Sequence, residues 1–360
     1  MSLLLSALTI RNTAFKNRIV ISPMCQYSSI DGFASDWHLV HLGSRATGGA
    51  GLIIQEATAV TAEGRISYAD LGIWKDDHID KLRQIVTFLH QHDARAGIQL
   101  AHAGRKASCE VPWKGGQQLP PGNQNNWQTV SATAIPFKEA DEIPVALDKA
   151  GIAQLTADFV SAVKRAKMIG YDVIEIHAAH GYLFHQFYSP LSNNRNDEYG
   201  GSFENRVRLL LEVTEAVKKE WGSDKPLFVR ISATDWTEGG WAIEDSVKLA
   251  ILLKELGVDL IDTSSGGNIR TAKVPLKPGY QVDFAATIKK RAGILTGAVG
   301  LITSALQAEE ILQNGQADLV LFARESLRNP NFALSAAYEL NDEVKWPLQY
   351  ERAKPINKKV

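Results

Sequence analysis

The chain has 360 residues, 45% of them hydrophobic and 22% charged, with a formal net charge of -1. That is enough apolar material for a large buried core, and the balanced charge leaves no basic excess to neutralise a phosphate backbone, so nucleic acid is excluded as a partner. No stretch approaches the roughly 20 apolar residues of a membrane span, the opening MSLLLSALTIRNTAFKNR lacks the features of a secretory leader, and two cysteines, Cys25 and Cys109, cannot frame a disulfide network. The expected setting is the reducing cytoplasm, with no membrane partner.

No low-complexity run or Gly/Ser linker offers a boundary, so residues 1–360 read as a single domain. Leu8 to Ile10 followed by Phe15 predicts a small hairpin ahead of the first core strand, Ile19 to Ser22, which ends in Pro23, Met24 and Cys25. Gly51 to Ala57 (GLIIQEA) is the next buried strand, and Ile79, Leu82, Val86 and Leu89 mark an amphipathic helix after it. Ala96 to Ala101 (AGIQLA) is a third strand, running into His102-Ala103-Gly104-Arg105-Lys106. From there to about Leu147 the Pro, Gly and Asn content defeats either period, which predicts a long loop of the kind that carries function. Leu155, Phe159, Val163 and Ala166 form a helix stopped near Gly170.

Val173 to Ile176 is a fourth strand, and it meets His177 and His180, with Gly181 and Tyr182 immediately after. A polar loop then leads through Gly200, Gly201 and Ser202 into a helix with Val207, Leu210, Leu211, Thr214, Val217 and Trp221 on one face. His-x-x-His could hold a metal, but no Asp, Glu or Cys joins it at ligand spacing and Glu175 simply alternates with the pleat, so no metal is expected. Two neutral imidazoles can instead present N–H donors to one carbonyl or anionic oxygen, with the Tyr182 hydroxyl as an acid beside them. Histidines merely satisfied in a core are the plainer alternative, which suits a lone His better than two with a Tyr.

Leu227 to Ile231, Leu260 to Thr263, Ile294 to Gly297 and Leu319 to Ala323 are four further strands, separated by helices such as Asp245 to Leu256 and Ser304 to Gln313. Eight strands alternating with helices predict an α/β fold, a (β/α)8 TIM barrel with an N-terminal hairpin and a long loop after strand 3. A doubly wound sheet competes, but no strand is followed by G-x-G-x-x-G. In the barrel, Cys25, Gln99, His177, Arg230 and Arg324 fall at strand ends on one shared face. Gly297 and Gly300 after strand 7, with Ala323 and Arg324 after strand 8, match the usual barrel phosphate site of exposed N–H groups and an Arg; turn glycines and a surface Arg are the alternative.

HAAHGY together with SPLSNNRNDEYGGSFENR closely resembles the signature of the Old Yellow Enzyme family of flavin-dependent ene-reductases, in its bacterial NADPH dehydrogenase and xenobiotic reductase branch, and the likeness runs from RNTAFKNRIVISPMCQYS to QYER. The resemblance implies non-covalent FMN over the barrel mouth. Ser22, Pro23, Met24 and Cys25 would line one side of its ring, Ala57 and Gln99 would contact it, Arg230 would sit at its N1–C2 edge, and Gly297, Gly300, Ala323 and Arg324 would hold its phosphate. Ala323 stands where relatives commonly have Gly, which would strain the loop only if φ there were positive.

The resemblance also implies a ping-pong reaction in which NADPH or NADH reduces the cofactor and an activated alkene, an α,β-unsaturated carbonyl or nitro compound, is then reduced. His177 and His180 would bind the substrate oxygen, Tyr182 would supply the proton, and Tyr27 would lie near the substrate. In this branch the Arg of QYER, here Arg352, reaches into a neighbour's active site, which implies a homodimer or a homotetramer built from dimers. Two other readings use the same barrel: a flavin-free aldolase or isomerase acting on a phosphorylated sugar, for which no strand-end Lys stands out, and a non-catalytic binding protein, which leaves the His/His/Tyr cluster without a task.

Overall fold

The computed structural model describes Ser2 to Pro355. β1 (Leu8–Ile10) and β2 (Thr13–Phe15) pair antiparallel as the expected hairpin. After β3 (Ile19–Ile21) comes α1 (Asp36–Thr47), a helix that patterning leaves unassigned because its buried face carries His38, His41 and Arg45 among the aliphatics. β4 (Leu52–Ala59), α2 (Ile79–Gln91) and β5 (Arg95–Ala101) follow. The long segment after β5 is irregular, as expected, apart from short 3-10 turns and a minor parallel pair, β6 (Val130–Ser131) with β7 (Val145–Ala146).

α3 (Lys149–Ile169) starts where the Asp148 carboxylate accepts from Gly151 N at 2.8 Å and stops at Gly170, whose φ of 102° is open to glycine. Then come β8 (Val173–Ala178), α4 (Leu183–Tyr188) and α5 (Phe203–Trp221), the last capped by Ser202. β9 (Leu227–Ser232), α6 (Ile243–Glu255), β10 (Leu260–Ser264), α7 (Val282–Ala292), β11 (Leu295–Ala298), α8 (Ala305–Gln313) and β12 (Leu319–Phe322) continue the alternation, followed by α9 (Arg324–Arg328) and α10 (Phe332–Glu339). The eight parallel strands close in the order β3-β4-β5-β8-β9-β10-β11-β12, with β12 pairing back to β3.

Alternation along each strand sorts the side chains into two cores. Ile53, Ile98, Ile174, Ile176, Val229 and Ile261 face outward into the cluster shared with the helices. Val20, Leu52, Ile54, Val173, Phe228, Leu260 and Leu321 face inward and form a dry plug, closed from below by Ile10 and Phe15 of the hairpin. Two residues further along the same pleat the interior turns polar, with Gln99, Glu175, Arg230 and Asp262, all buried. One step higher stand His177, Ser232 and Ser264. The apolar plug therefore supports a polar layer that opens on the C-terminal face.

Candidate active site

β8 runs two residues beyond its expected end, so His177 projects from the strand while His180 begins the loop. Their rings meet edge to face at 5.1 Å, and the Tyr182 ring meets that of His177 at 5.0 Å. His180 has a φ of 60°, a left-handed conformation that costs a non-glycine residue about 1–3 kcal/mol and is held here by its neighbours. Its N–H donates to Ser232 Oγ at 2.9 Å, and Gly267 packs so closely that a Cβ there would lie 2.6 Å from His180 Cα. Lys106 fixes the same loop, donating to His180 O at 2.7 Å and Gly267 O at 2.9 Å.

Burial first, and the Arg230 charge second, hold both histidines well below the usual imidazole range, so each is neutral and carries one N–H. His177 Nδ1 has no hydrogen-bond partner among the described residues. His180 Nε2 lies 2.7 Å from Ser264 Oγ. Ser264 Oγ also reaches Gln281 Oε1, at 3.4 Å, an oxygen that accepts from Ser265 Oγ at 2.6 Å, so Ser264 links His180 to Gln281 and holds the imidazole in place. Burial also keeps the Tyr182 phenol well above its ordinary range, which preserves it as an acid.

Four expected residues gather at the end of β3. Ser22 is buried with its hydroxyl unpartnered, while Pro23, Met24 and Cys25 are half-buried. Burial, then the negative charges of Asp70 and Glu56, push the Cys25 thiol up, so it is not a thiolate. Ala57 lies on β4 beside Gln99 in the β4–β5 register. Gln99 Nε2 donates to Glu175 Oε1 at 2.7 Å, a tie into the polar layer that strand spacing did not indicate. Arg230 Nε approaches Asp262 Oδ2 at 3.0 Å as an ion pair whose geometry is too poor for a hydrogen bond, so the Arg230 and Asp262 polar atoms retain hydrogen-bonding capacity.

The residues expected at the phosphate end differ in exposure and packing. Gly300 has a φ of 125°, and a Cβ there would come within 3.0 Å of Gln281 Nε2 and 3.2 Å of Tyr280. Tyr280 in turn feels the charges of Arg324 and Arg230, both opposing the rise that burial imposes on its phenol. Arg324 is exposed at the start of α9. Ala323 has a φ of -101°, so its methyl group causes no backbone strain. At Gly297 the demand for glycine comes from packing, since a Cβ would sit 2.5 Å from Leu321.

Tyr27, with a φ of 49°, lies edge to face with Trp113 and lines a cavity of about 130 Å³ with Arg105, Lys106 and Cys109. Lys106, whose role strand spacing does not reveal, is lowered to about 8 by burial and by Arg105, and its ammonium lies 5.1 Å over the Tyr182 ring. With both carbonyls occupying it, Lys106 is not a free amine of the Schiff-base kind. Arg352 is apart from all of these: it is exposed in a 3-10 turn, Leu348–Ala353, on a tail whose Lys345 pairs with Asp93, just before β5 at the opposite end of the barrel. An open cleft of about 560 Å³ lined by Arg11, Lys254, Asp259 and Lys289 is also at that opposite end and shares no residue with the site. Among the described residues no group of three His, Cys, Asp or Glu could hold a metal ion, and no helix is long and apolar enough to cross a membrane.

A closed (β/α)8 barrel with neutral histidines, a phenol, a thiol and an arginine around its C-terminal mouth defines an enzyme scaffold of the cofactor-binding barrel class. The model of the NADH:flavin oxidoreductase / NADH oxidase family matches residues 4–343, and the chain belongs to this family, that of the Old Yellow Enzymes. An NADPH dehydrogenase from Geobacillus sp. (strain WCH70) is 52% identical over 353 residues, covering 98% of each chain. Another from Listeria monocytogenes serotype 4a (strain HCC23) is 51% identical over 355 residues, 98% of this chain and 99% of the relative. Among solved structures, morphinone reductase superposes with a TM-score of 0.78 at 26% identity, covering 96% of this chain and 91% of that one. A 2-naphthoyl-CoA reductase shares the fold, with a TM-score of 0.84 at 23% identity over 94% of this chain, which spans 52% of that longer protein.

FMN is the cofactor of this family, and a nicotinamide its reductant. The residues here fit FMN: Ser22 Oγ, His177 Nδ1 and Arg230 Nε are buried without hydrogen-bond partners at the mouth, and Gly300 with Arg324 leaves a side-chain-free, cationic edge for a phosphate.

Proposed function

We propose that this chain is an FMN-dependent NAD(P)H oxidoreductase that reduces the C=C bond of activated alkenes, α,β-unsaturated carbonyl or nitro compounds, with residues 1–360 acting as a single barrel domain. Bound FMN would supply the hydride chemistry between NADPH or NADH and the β-carbon of the alkene, in ping-pong order. Everything else is done by the protein. His177 and His180 would hold the substrate oxygen and stabilise negative charge as it develops there, and Tyr182 would give its proton to the α-carbon. The carrying observation is this cluster: two neutral imidazoles and a protonated phenol with ring centroids about 5 Å apart, above a buried arginine.

Ser22, Pro23, Met24 and Cys25 would flank the ring, with Ala57 and Gln99 in contact, Arg230 at its N1–C2 edge, and Gly297, Gly300, Ala323 and Arg324 toward the phosphate. Cys25, kept as a thiol, would tune the cofactor rather than form a bond to substrate. Tyr27 would border the substrate, and Arg352 would reach a neighbouring subunit's site in a homodimer or dimer-based homotetramer. The free thiols Cys25 and Cys109 support a cytoplasmic setting. The morphinone reductase structure in complex with tetrahydroNAD supports a nicotinamide ligand for the barrel by analogy.

The test is direct. Purified protein should be yellow, should bleach anaerobically with NADPH, and should recover its absorbance on adding 2-cyclohexen-1-one, with saturated ketone formed in proportion. A colourless protein that FMN cannot reconstitute, or a reduced enzyme that no enone or nitroalkene reoxidises, would overturn the reading.

A further inference from the structure

The layer beneath the site holds a pair of carboxyl groups that the reaction itself does not use. Glu175 on β8 and Asp262 on β10 are both completely buried, directly above the apolar plug of Val173, Phe228 and Leu260. Glu175 Oε1 accepts from Gln99, but among the described residues Glu175 Oε2 and both Asp262 oxygens have no hydrogen-bond donor, although the two carboxyls are within hydrogen-bonding reach of each other. Two ionised carboxylates in that position would repel, with one cation, Arg230, between them and the site. A single proton removes the conflict, giving Glu175 a donor for Asp262 and leaving Asp262 to Arg230, so the layer is neutral.

The groups facing Glu175 are few. Asp262 and Arg230 are the charged ones, Gln99 on β5 is polar and uncharged, His177 one step above on its own strand is neutral, and the interior positions of β3, β4, β11 and β12 are apolar or glycine, represented by Val20, Ile54, Gly297 and Leu321. We propose that Glu175 and Asp262 share one proton, and that this buried pair exchanges it with solvent in response to charge on the flavin ring, so that through Arg230 it sets the cofactor's midpoint potential and its pH dependence. The coupling rests on the reading that the ring lies over Arg230. A hydride brings two electrons and one proton to the ring, so one negative charge is gained there; where the pair was fully ionised it then takes one proton from solvent, which brings the layer of Glu175, Asp262 and Arg230 from a charge of minus one to neutrality.

Burial, and then the negative charge of Asp262, push Glu175 up to about 8, while burial also raises Asp262. At neutral pH the pair already holds its proton, and above the raised titration range of the pair uptake accompanies reduction. Spectroelectrochemistry of the holoenzyme should therefore show one proton per two electrons at neutral pH and a doubled slope of midpoint against pH above that point. Glu175→Gln, which keeps the donor and removes the charge, should show the single slope throughout. Infrared spectra of the wild type at pH 7 should contain a C=O band of a protonated carboxyl that is missing from Glu175→Gln and from Asp262→Asn, a readout that needs no turnover; bands common to all three belong to other buried carboxyls such as Glu56, which burial also pushes up. FMN-loaded wild type without that band, or with the same slope as Glu175→Gln, overturns the proposal. Protein that binds no FMN yet keeps the band overturns the flavin reading, and the coupling with it, while leaving the shared proton standing.

Discussion

At the residue scale, the arrangement separates binding from proton transfer. Tyr182 is protonated, and hydride uptake needs no proton from it, so Tyr182→Phe should slow enone reduction by about 10²–10⁴-fold, the range for loss of a general acid, with anaerobic reduction by NADPH nearly unchanged in a stopped-flow instrument. Equal slowing of both halves would give Tyr182 a structural role instead. His177 and His180 should act through ring N–H groups, and replacing both with Ala should weaken phenolic ligands that stack on oxidised enzyme while FMN stays bound. A phenol titration with unchanged affinity in the double variant would reject that role.

At the scale of elements, the site depends on how the loops after β8, β9 and β10 lock together. Gly181 has a φ of 73°, and a Cβ there would lie 2.3 Å from Gly267 O. Gly181→Ala therefore meets both left-handed strain, about 1–3 kcal/mol, and overpacking of similar size, about 1–3 kcal/mol, and urea unfolding should show the loss as a lower midpoint. Asp235, in the loop after β9, accepts from Ser189 Oγ at 2.6 Å and Trp241 N at 2.9 Å and lies 2.8 Å from His185 Nε2. Burial pushes this carboxyl up, but His185 and the hydrogen bonds outweigh it and leave it below its ordinary value of 3.8. A depressed carboxylate contributes stability that is present above the unfolded value and lost as pH falls through the folded one. Acid unfolding of the wild type should therefore include a component below about pH 4, and Asp235→Asn should be less stable at neutral pH and lack that component.

At the scale of the whole molecule, the tail belongs to the far end of the barrel from the site. Lys345 pairs with Asp93 at 3.2 Å, Leu348 is 84% exposed, and Tyr350 is exposed beside it, a surface rich in the residue types found at interfaces. Arg352 is exposed there too and cannot serve its own mouth, which supports a role in a partner's. Truncation before Trp346 should weaken the oligomer in sedimentation, and mixing Arg352→Ala with His177→Ala subunits should restore part of the activity. A fully active monomer, or no rescue after confirmed exchange of subunits, would exclude the trans role.

The barrel was legible in the chain because local pattern and global fold agree: apolar runs such as LIIQEA and LFVRI must be buried on both faces, and eight of them separated by helical periods have one economical closure. The His177, His180 and Tyr182 constellation was legible for the same reason, since consecutive residues at a strand end share one face whatever the rest of the chain does. Helix α1 was not, because its buried polar face breaks the apolar period. Nor were the partners of these residues. That Ser264 orients His180, that Lys106 ties two loops together, that Gly297 answers to Leu321, and that Glu175 faces Asp262 all depend on residues 24 to 161 positions apart. Only closure of the strands into a ring brings such side chains to one interior layer, where low polarity and strand register, neither of them a local property, decide which groups are neutral and which remain charged.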